Sequence, residues 1–310
     1  MTNSQVHSQQ EIRQAFLSAA AQNGLQINNQ IVEINESGMD FLVAFVTDDH
    51  GQDWVLRMPR RNDVWERAKY EDQVLKLVGK QLPLDVPKWN IFTKDLIAYP
   101  LLKGHPVATI DMTAGGYVWK YDQNDLSHVF FDSLAETLAA LHQIDHKTVK
   151  EAGVRVKSAD EARRTFANNI EEIEQHFQIP NQMAERWNSW LSTDSYWPDH
   201  SALHHGDLHS PHIIVDRNHR VTGLIDWTEA EVADPGKDFV LFFALFGEEK
   251  LQDFLKRYEK AGGKVWPRMK DHIVEQWGAY PALVAKFALT TGQESDMEMA
   301  RGMIANWNVG

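Results

Sequence analysis

Over the first hundred residues, the pattern of hydrophobic and polar positions is mostly that of short β-strands, with two helical stretches. Apolar residues recur at helical spacing near the start of the chain and again after residue 63, and the segments between them are strand-like runs bounded by turn residues. The predicted elements are a helix at 10–23, a strand at 31–46 interrupted by the loop 35–40, a strand at 53–58 that forms a hairpin with it, a helix at 63–79, and strands at 88–93 and 96–101.

After residue 104 the pattern changes to the spacing of helices. Phenylalanine and leucine recur on one helical face between residues 130 and 141, and Ser158 and Glu161 form a capping box ahead of another apolar stripe. Two short apolar runs at 212–216 and 221–226, joined by a polar turn, predict one β-hairpin inside this helical region. Further helices are predicted at 238–262 and 268–305.

This order of elements predicts an α+β protein of two unequal lobes. A small β-rich lobe with one main helix is expected at 1–98, and a larger, mostly helical lobe at 105–310. Residues 99–104 are expected to be the hinge between them. A small sheet, a short connector and a helical lobe with one embedded hairpin are typical of the protein-kinase-like fold.

The composition is that of an ordinary soluble globular protein of 310 residues, with 43% hydrophobic and 24% charged side chains. No run approaches the roughly 20 apolar residues of a membrane span, and the polar first residues lack the apolar core of a secretory signal. We therefore expect a cytoplasmic protein with no membrane partner. Because the chain has no cysteine, disulfides, thiolate metal sites and a cysteine nucleophile are excluded.

The net charge of −13 argues against a nucleic-acid partner, because binding to phosphate backbones requires a basic surface. The acidity is concentrated in the later part of the chain. Residues 1–102 carry 10 Lys and Arg against 13 Asp and Glu, whereas residues 103–310 carry 21 against 31. This distribution suits a cationic substrate in the helical lobe. An ordinary solvated acidic surface explains it as well.

Polar residues around the predicted hairpin offer the chemistry of phosphoryl transfer to an alcohol. That reaction needs a base at the acceptor hydroxyl, oxygens that hold a metal ion, and groups that fix the phosphates. Asp207 follows Gly206 on a tight loop, a suitable position for the base. His212 begins the hairpin, and Asp226 ends its second strand, where a carboxylate can reach a cation.

The segment HHGDLHSPHIIVD, followed by VTGLIDWTEAEVADPGKDF, resembles the aminoglycoside and macrolide phosphotransferase superfamily. The signature of that superfamily is a His-Gly-Asp motif, an Asn or His five residues later, a hairpin, and an Ile-Asp-Trp or Ile-Asp-Phe motif. Within it, the chain most resembles the macrolide 2′-phosphotransferases, through NESGMDF, WVLRMPRR, the DWTEA variant, the GEE triplet and GGKVWPRMKDHI. The resemblance extends over roughly residues 30–300.

The resemblance implies roles for four residues of the catalytic segment. Asp207 is the base that orients and deprotonates the acceptor hydroxyl, and Asp226 coordinates the Mg²⁺ that bridges the nucleotide phosphates. His212 stands where many relatives carry a second metal-binding Asn, so it contacts the metal, directly or through water, or a phosphate. His205 orients the catalytic loop.

The resemblance also makes the small lobe the nucleotide-binding lobe. Arg57 is implied as the phosphate-binding cation, paired with Glu71 of the helix, where kinases usually carry lysine. The loop 35–40 takes the place of the glycine-rich loop, and the hinge hydrogen-bonds the purine of GTP, or of ATP. The implied nucleotide contacts are Ser37, Arg57, Glu71, Tyr99, Leu101, Leu102 and His212.

The implied acceptor is a macrolide such as erythromycin, which combines a broad apolar surface with a cationic amino sugar. Glu229 is a candidate for the cationic group. Five aromatic residues of the later helices either line the apolar part of such a pocket or belong to the core. These residues are Phe242, Phe246, Trp277, Tyr280 and Phe287.

Three other functions compete with this interpretation. Another small alcohol, such as an aminoglycoside, choline or a sugar, could be the acceptor, since charge does not separate these substrates. The pair His205 and His209 suggests a zinc hydrolase, although Gly206 and Pro211 oppose the helix that such a pair needs. An inactive nucleotide-binding module is the third.

Asp234 lies just ahead of the helix predicted at 238–262, and Asp238 is its first residue. Carboxylates at this position commonly accept hydrogen bonds from the free N–H groups of the first helical turn. We therefore expect both residues to cap that helix, rather than to bind metal or substrate.

Overall fold

The computed structural model describes residues 3–36, 38, 40–111 and 116–307, without the side chains of residues 3–8 and 28–30. The first lobe contains helix α1 (Asn3–Gln22), strands β1 (Ile27–Asn35), β2 (Phe41–Asp48) and β3 (Asp53–Pro59), helix α2 (Val64–Gln81), and strands β4 (Ile91–Phe92) and β5 (Ile97–Pro100). The five strands form one antiparallel sheet in the order β1-β2-β3-β5-β4.

The β2–β3 hairpin forms where the sequence predicts it, because its turn satisfies its own backbone. The carboxylate of Asp48 accepts hydrogen bonds from the N–H groups of His50 and Gln52, both at 2.9 Å. Gly51 has a φ of +80°, which few other residues adopt easily. The Asp48 carboxylate also accepts a 2.9 Å bond from the indole of Trp54, so the turn is joined to the strand that follows.

Helix α2 places one charged residue on its buried face. Val64 and Ala68 pack with Ile97 and Tyr99 of the sheet, and the remaining buried positions of the helix are apolar except for Glu71. A buried carboxylate requires a partner charge or several hydrogen bonds. The position of α2 therefore depends on a partner group that faces the Glu71 carboxylate.

Three predicted elements of this lobe differ in extent from those observed. Helix α1 begins at Asn3 rather than at residue 10, and the strands predicted at 88–93 and 96–101 shorten to β4 and β5. The chain ahead of β4 belongs to a different pairing. The backbone N–H of Asp85 donates to the carbonyl of Thr222 at 2.9 Å, and the Asp85 carbonyl accepts from Leu224 at 3.1 Å. This stretch therefore contacts the second lobe instead of extending the sheet.

The second lobe is mostly helical, and the described residues 101–104 lead into it from β5. Its core contains α3, α7 and a central hairpin, with Phe130, Leu138, Val215 and Phe239 fully or almost fully buried. Its helices are α3 (His128–His142), α4 (His146–Glu151), α5 (Ala159–His176), α6 (Asn181–Ser192), α7 (Lys237–Lys260), α8 (Met269–Gly278), α9 (Tyr280–Thr291) and α10 (Glu294–Asn306), with short 3-10 turns at Gln123–Asp125, Asp194–Tyr196 and Ser210–His212. Its strands are β6 (His105–Pro106), β7 (Ala108–Asp111), β8 (Gly116–Trp119), β9 (Ala202–His204), β10 (Ile213–Val215), β11 (Val221–Leu224) and β12 (Glu231–Ala233).

The predicted hairpin and capping box are both confirmed. Strands β10 and β11 pair antiparallel, and β6 adds a third strand beside β10. At the start of α5, the Ser158 hydroxyl accepts from the N–H of Glu161 at 3.2 Å, and the Glu161 carboxylate accepts from the N–H of Ser158 at 2.7 Å. Two unsatisfied donors at the helix start are thereby paired.

The region predicted to be helical at 268–305 contains three helices in the structure. The first ends at Gly278, and Pro281 lies in the first turn of the second, where a missing N–H costs nothing. Gly292 ends α9 in the left-handed conformation, with a φ of +64°. Helix α7 matches its predicted extent, with a break in helical backbone at Gly247.

A small antiparallel sheet lobe and a larger helical lobe confirm the predicted α+β, bilobal class. The last two residues of β5, Tyr99 and Pro100, belong to the segment predicted as the hinge. No helix among the described residues is both long and apolar enough to span a membrane.

Candidate active site

The loop after β9 carries Asp207 and requires glycine immediately before it. Gly206 has a φ of +85°, in the left-handed region. Strand β9 pairs with β12, with His204 opposite Glu231, so the loop runs directly against the backbone of Glu229. A Cβ on Gly206 would lie 2.4 Å from the Glu229 carbonyl oxygen. Conformation and space therefore both demand glycine at this position.

Asp238, near the start of α7, fixes the same loop. Its carboxylate accepts hydrogen bonds from the backbone N–H groups of His205 at 2.9 Å and Gly206 at 2.8 Å, and His142 Nε2 lies 3.2 Å from it. Burial raises the pKa of Asp238, but the His142 hydrogen bond and nearby histidine charge outweigh burial and hold the pKa well below its usual range. Asp238 is an anionic anchor for the loop backbone.

The expectation that Asp234 and Asp238 cap the following helix is wrong. The residue ahead of α7 is Gly236, and no side chain in the described part of the chain caps the first turn of the helix. The Asp234 carboxylate lies 2.7 Å from His272 Nε2, contacts the amide of Gln276, and accepts from the N–H of Gly236 at 2.9 Å. Both aspartates are buried among histidine donors, and these donors draw them away from the helix end.

His205 is buried and joins the two loops that carry the aspartates. Its Nε2 donates to the carbonyl of Ile225 at 3.0 Å, and its Nδ1 accepts from the N–H of Asp207 at 3.3 Å. Burial lowers the pKa of His205 and so favours the neutral ring. This geometry suits the predicted orienting role, and it leaves no nitrogen free to share a hydrolytic zinc ion with His209.

The imidazole of His212 lies between the two carboxylates that sequence reasoning assigned to catalysis. Its Nδ1 donates to the backbone carbonyl of Asp207 at 2.9 Å and lies 3.6 Å from Oδ2 of the same residue. Its Nε2 lies 3.7 Å from Oδ2 of Asp226. The side chains of Asp207 and Asp226 are 43% and 42% exposed, so each presents oxygens to a ligand.

Asp226 has an unusual backbone for a non-glycine residue, with a φ of +64°. The Thr228 hydroxyl donates to its Oδ1 at 3.0 Å. The partial loss of solvent around Asp226 raises its pKa, but His212, Arg57 and the Thr228 hydrogen bond outweigh this effect, so the pKa lies below its usual value. An ionised carboxylate is the ligand type that Mg²⁺ prefers, whereas the imidazole of His212 is a poorer ligand for this ion.

Arg57 and Glu71 form the buried ion pair that holds α2 against the sheet. Arg57 Nη1 lies 3.0 Å from both carboxylate oxygens of Glu71, and the guanidinium stacks on Phe41 at 4.1 Å from the ring centre. The Thr228 hydroxyl, which donates to Asp226, also lies 3.4 Å from Glu71. The ion pair of the first lobe is thus connected to the second lobe through one hydroxyl.

The purine contact at Leu101 stays a prediction, and it would have to use the carbonyl or side chain, because the N–H of Leu101 donates to the Asp53 carbonyl at 2.8 Å. Tyr99 is buried in β5, where burial raises its pKa to about 12. Leu102 is half-buried and packs against the apolar cluster that contains Tyr99 and Ile97. Ser37, the predicted phosphate contact of the loop 35–40, lies outside the described residues. Arg60 donates to the Gly38 carbonyl at 2.8 Å and so supports the described part of that loop.

A cavity of about 870 Å³ in the second lobe reaches Asp207. Its volume is near the upper end of the range of about 300–1,000 Å³ for small-molecule sites. The walls are largely apolar and come from α5, α7, α9 and α10, with Phe166, Val284 and Phe287 among them. The described residues place five carboxylates and two lysines on the walls: Asp207, Glu229, Glu231, Asp234, Asp296, Lys157 and Lys237.

Residues 31–272 match the model of a family described as "Phosphotransferase enzyme family". The chain belongs to that family. A macrolide 2′-phosphotransferase of type I is 35% identical and superposes with a TM-score of 0.88 over 99% of both chains. The apoenzyme of the macrolide 2′-phosphotransferase MphH from Brachybacterium faecium is 36% identical, with a TM-score of 0.87 over 96% of this chain and 99% of its own. The uncharacterized protein YcbJ of Bacillus subtilis (strain 168) is 45% identical over 92% of this chain and 93% of its own.

The aromatic residues predicted to line the acceptor pocket of this phosphotransferase divide into two groups. Tyr280 and Phe287 line the large cavity, as does Glu229. Of the two alternatives, Phe242 belongs to the core, where it stacks on Phe254 at 4.2 Å, and Phe246 is half-buried against the same core. Trp277 packs between Tyr280 and Trp307, with ring centres 5.0 and 4.8 Å away, and does not line the cavity.

Sequence reasoning missed His204 and most of the wall from α5 and α10. His204 is buried at the cavity, its Nδ1 has no partner among the described residues, and burial lowers its pKa to about 4. Phe166 could have been found, since it lies in the apolar stripe after the capping box. Nothing in the sequence separates His204 from its neighbour His205, because only the strand pairing places the two rings on different sides.

Proposed function

We propose that this phosphotransferase transfers the γ-phosphoryl group of GTP, with ATP as the alternative donor, to the 2′-hydroxyl of the amino sugar of a macrolide such as erythromycin, which inactivates the antibiotic. The observation that carries the proposal is the large apolar cavity that opens on Asp207. A macrolide needs a broad apolar wall, and the excess of carboxylates there suits its cationic amino group.

Asp207 is the residue proposed to act on the acceptor. Its carboxylate accepts the proton of the 2′-hydroxyl as the alcohol oxygen attacks the γ-phosphorus in line, and the bond to the β,γ-bridging oxygen breaks. The nucleoside diphosphate leaves with that oxygen. Asp238 and His205 hold the loop of Asp207 in place through the hydrogen bonds described above.

Asp226 is the proposed ligand of Mg²⁺, and His212 a second contact, directly or through water. The metal ion would neutralise charge on the nucleotide phosphates. The ionised carboxylate of Asp226 fits this ion, and its second oxygen lies on the same side as His212 Nε2, at 3.7 Å. Arg57, held by Glu71, is the proposed cation for the phosphates.

The test is a reaction of the pure protein with Mg²⁺ and either GTP or ATP, with erythromycin and kanamycin in parallel. Mass spectrometry should find one added phosphoryl group on erythromycin, and fragmentation should place it on the amino sugar. Phosphorylated kanamycin with unmodified erythromycin would overturn the macrolide proposal and favour an aminoglycoside acceptor. Nucleotide binding without transfer to either compound would favour the inactive binding module.

A further inference from the structure

His209 has no part in the proposed phosphoryl transfer, but it brings a third ligand atom next to Asp207 and His212. One nitrogen from His209, one from His212 and one carboxylate oxygen of Asp207 all lie within 4.8 Å of one another. We propose that these three residues form a site for Zn²⁺ or another divalent ion that prefers imidazole ligands, and that the bound ion takes Asp207 out of use as the base.

The spacing of the two imidazoles is that of ligands on one tetrahedral ion. The Nε2 atoms of His209 and His212 lie 3.2 Å apart, and the rings meet edge to face at 77° with centres 4.1 Å apart. Two nitrogens bound to tetrahedral zinc at about 2.0–2.1 Å would be separated by about 3.3 Å. A metal ion can therefore replace the hydrogen bond between the rings with little movement of either.

Both rings have the outer hydrogen bonds that a metal-binding histidine uses. The Nδ1 of His212 donates to the Asp207 carbonyl at 2.9 Å, which leaves the lone pair of its Nε2 directed away from that bond. The Nδ1 of His209 lies 3.0 Å from the hydroxyl of Tyr117 on β8, and that oxygen can accept a hydrogen bond from Nδ1–H when Nε2 binds the metal ion. Such outer partners fix the ring orientation and the tautomer needed for metal binding.

The ligand types favour a transition ion over Mg²⁺. Two imidazole nitrogens and one carboxylate oxygen match zinc sites with three protein ligands and one open position, whereas Mg²⁺ prefers oxygen ligands alone. The chain has no cysteine, so no thiolate elsewhere in it competes for the ion. A carboxylate bound to such an ion is a weaker base, so occupation of this site should inhibit transfer; this consequence rests on the proposed role of Asp207.

Metal binding is tested on the full-length protein without nucleotide or substrate. Titration calorimetry with Zn²⁺ should show one strong site, and Co²⁺ should give the visible absorption of a tetrahedral complex. His209→Ala should weaken Zn²⁺ binding at least tenfold, and Tyr117→Phe, which keeps all three ligands, should weaken it about tenfold. His128→Ala, at an exposed histidine of α3, should bind as the wild type does.

Two results would overturn the metal site: no strong Zn²⁺ binding by the wild type, or unchanged affinity in both His209→Ala and Tyr117→Phe. Thermal unfolding of the metal-free variants shows whether each is folded when titrated. The proposed loss of Asp207 as the base is tested by kinetics. Zn²⁺ should inhibit phosphoryl transfer by the wild type, and the half-inhibitory concentration should rise at least tenfold in Tyr117→Phe or His209→Ala. Metal binding without inhibition would refute the proposed effect on Asp207 but not the metal site itself. If the protein does not phosphorylate macrolides, the proposed function fails and the metal-binding result still stands.

Discussion

At the scale of single residues, Asp207 and Asp226 have similar exposure but face different surroundings. Asp207 lines the large cavity, whereas Asp226 is held by the Thr228 hydroxyl and lies on the side of the Arg57–Glu71 pair. His212 separates them, within 3.7 Å of each. This arrangement supports one carboxylate for the acceptor and one for the nucleotide.

Asp207→Asn should therefore abolish transfer without loss of nucleotide binding. The amide cannot accept the hydroxyl proton, so kcat should fall by about 10²–10⁴-fold. Nucleotide affinity, measured by calorimetry with Mg²⁺ present, should stay within about threefold of the wild type, since each threefold change is less than 1 kcal/mol. Asp226→Asn is the comparison, and it should weaken Mg²⁺-dependent nucleotide binding. Equal losses of nucleotide affinity in both variants would contradict the division of roles.

Gly206→Ala and Gly51→Ala form a matched pair, because their φ values are +85° and +80°. Among the residues that the structure describes, an added Cβ meets nothing within 4 Å at Gly51 but lies 2.4 Å from a carbonyl oxygen at Gly206. Gly51→Ala should cost about 1–2 kcal/mol of unfolding free energy, the cost of a left-handed alanine. Gly206→Ala should cost clearly more and reduce kcat, as measured by denaturant titration and steady-state kinetics. Equal costs would mean that the loop can move away from Glu229.

At the scale of elements, the start of α7 determines the shape of the catalytic loop. The Asp238 carboxylate bonds two consecutive backbone N–H groups of that loop and His142 of α3. One side chain therefore connects α7, α3 and the loop after β9. Nearby, Asp234 connects the start of α7 to α8 through His272. Both carboxylates are buried, and a buried carboxylate without a partner would cost free energy of folding, so these hydrogen bonds favour one arrangement of the loop and helices.

Asp238→Asn should destabilise the protein in a pH-dependent way. The pKa of Asp238 in the folded protein lies below its usual value of about 3.9, so the charged form contributes stability above that pH and the contribution is lost on further acidification. The loss in unfolding free energy should be about 2–4 kcal/mol near pH 7. The difference between the variant and the wild type should shrink as the pH falls below about 4.

Urea titrations at several pH values measure this difference. Asp199→Asn is the control, because Asp199 also has a lowered pKa through Lys264 and His200 but its side chain is 81% exposed. It should have a much smaller effect at every pH, since exposed charge pairs contribute little. A pH-independent loss in Asp238→Asn would show that the carboxylate charge is not what stabilises the loop.

At the scale of the whole molecule, α2 connects the two lobes around the site. The Tyr70 hydroxyl donates to the Ala230 carbonyl at 2.6 Å, and Arg67 bridges Asp40 and Glu229 at 2.9 Å each. The Arg67 pairs are exposed and contribute little stability, but they link the loop before β2 to the wall of the cavity. The nucleotide side and the acceptor side are thus joined through one helix.

Phe287→Ala and Phe242→Ala should have different effects, because one residue lines the acceptor cavity and the other belongs to the core. Phe287 lines the cavity, so its loss should raise KM for the macrolide about tenfold and leave KM for the nucleotide unchanged. Phe242 is 6% exposed and stacked on Phe254, so its loss should cost about 3–5 kcal/mol of unfolding free energy. Steady-state kinetics and denaturant titration of both variants test this. A large macrolide KM effect in Phe242→Ala alone would place the acceptor elsewhere.

The sequence by itself determined the bilobal class, the hairpin, the capping box and the positions of Asp207 and Asp226. These features depend on local spacing and on motifs whose residues are close in the chain. The tertiary structure alone decided which aromatics face the cavity, because Phe242 and Phe287 have similar helical patterns and differ only in what packs against them. It also decided that Asp238 anchors the loop and that His209 meets His212, since side-chain direction depends on contacts between segments distant in the chain.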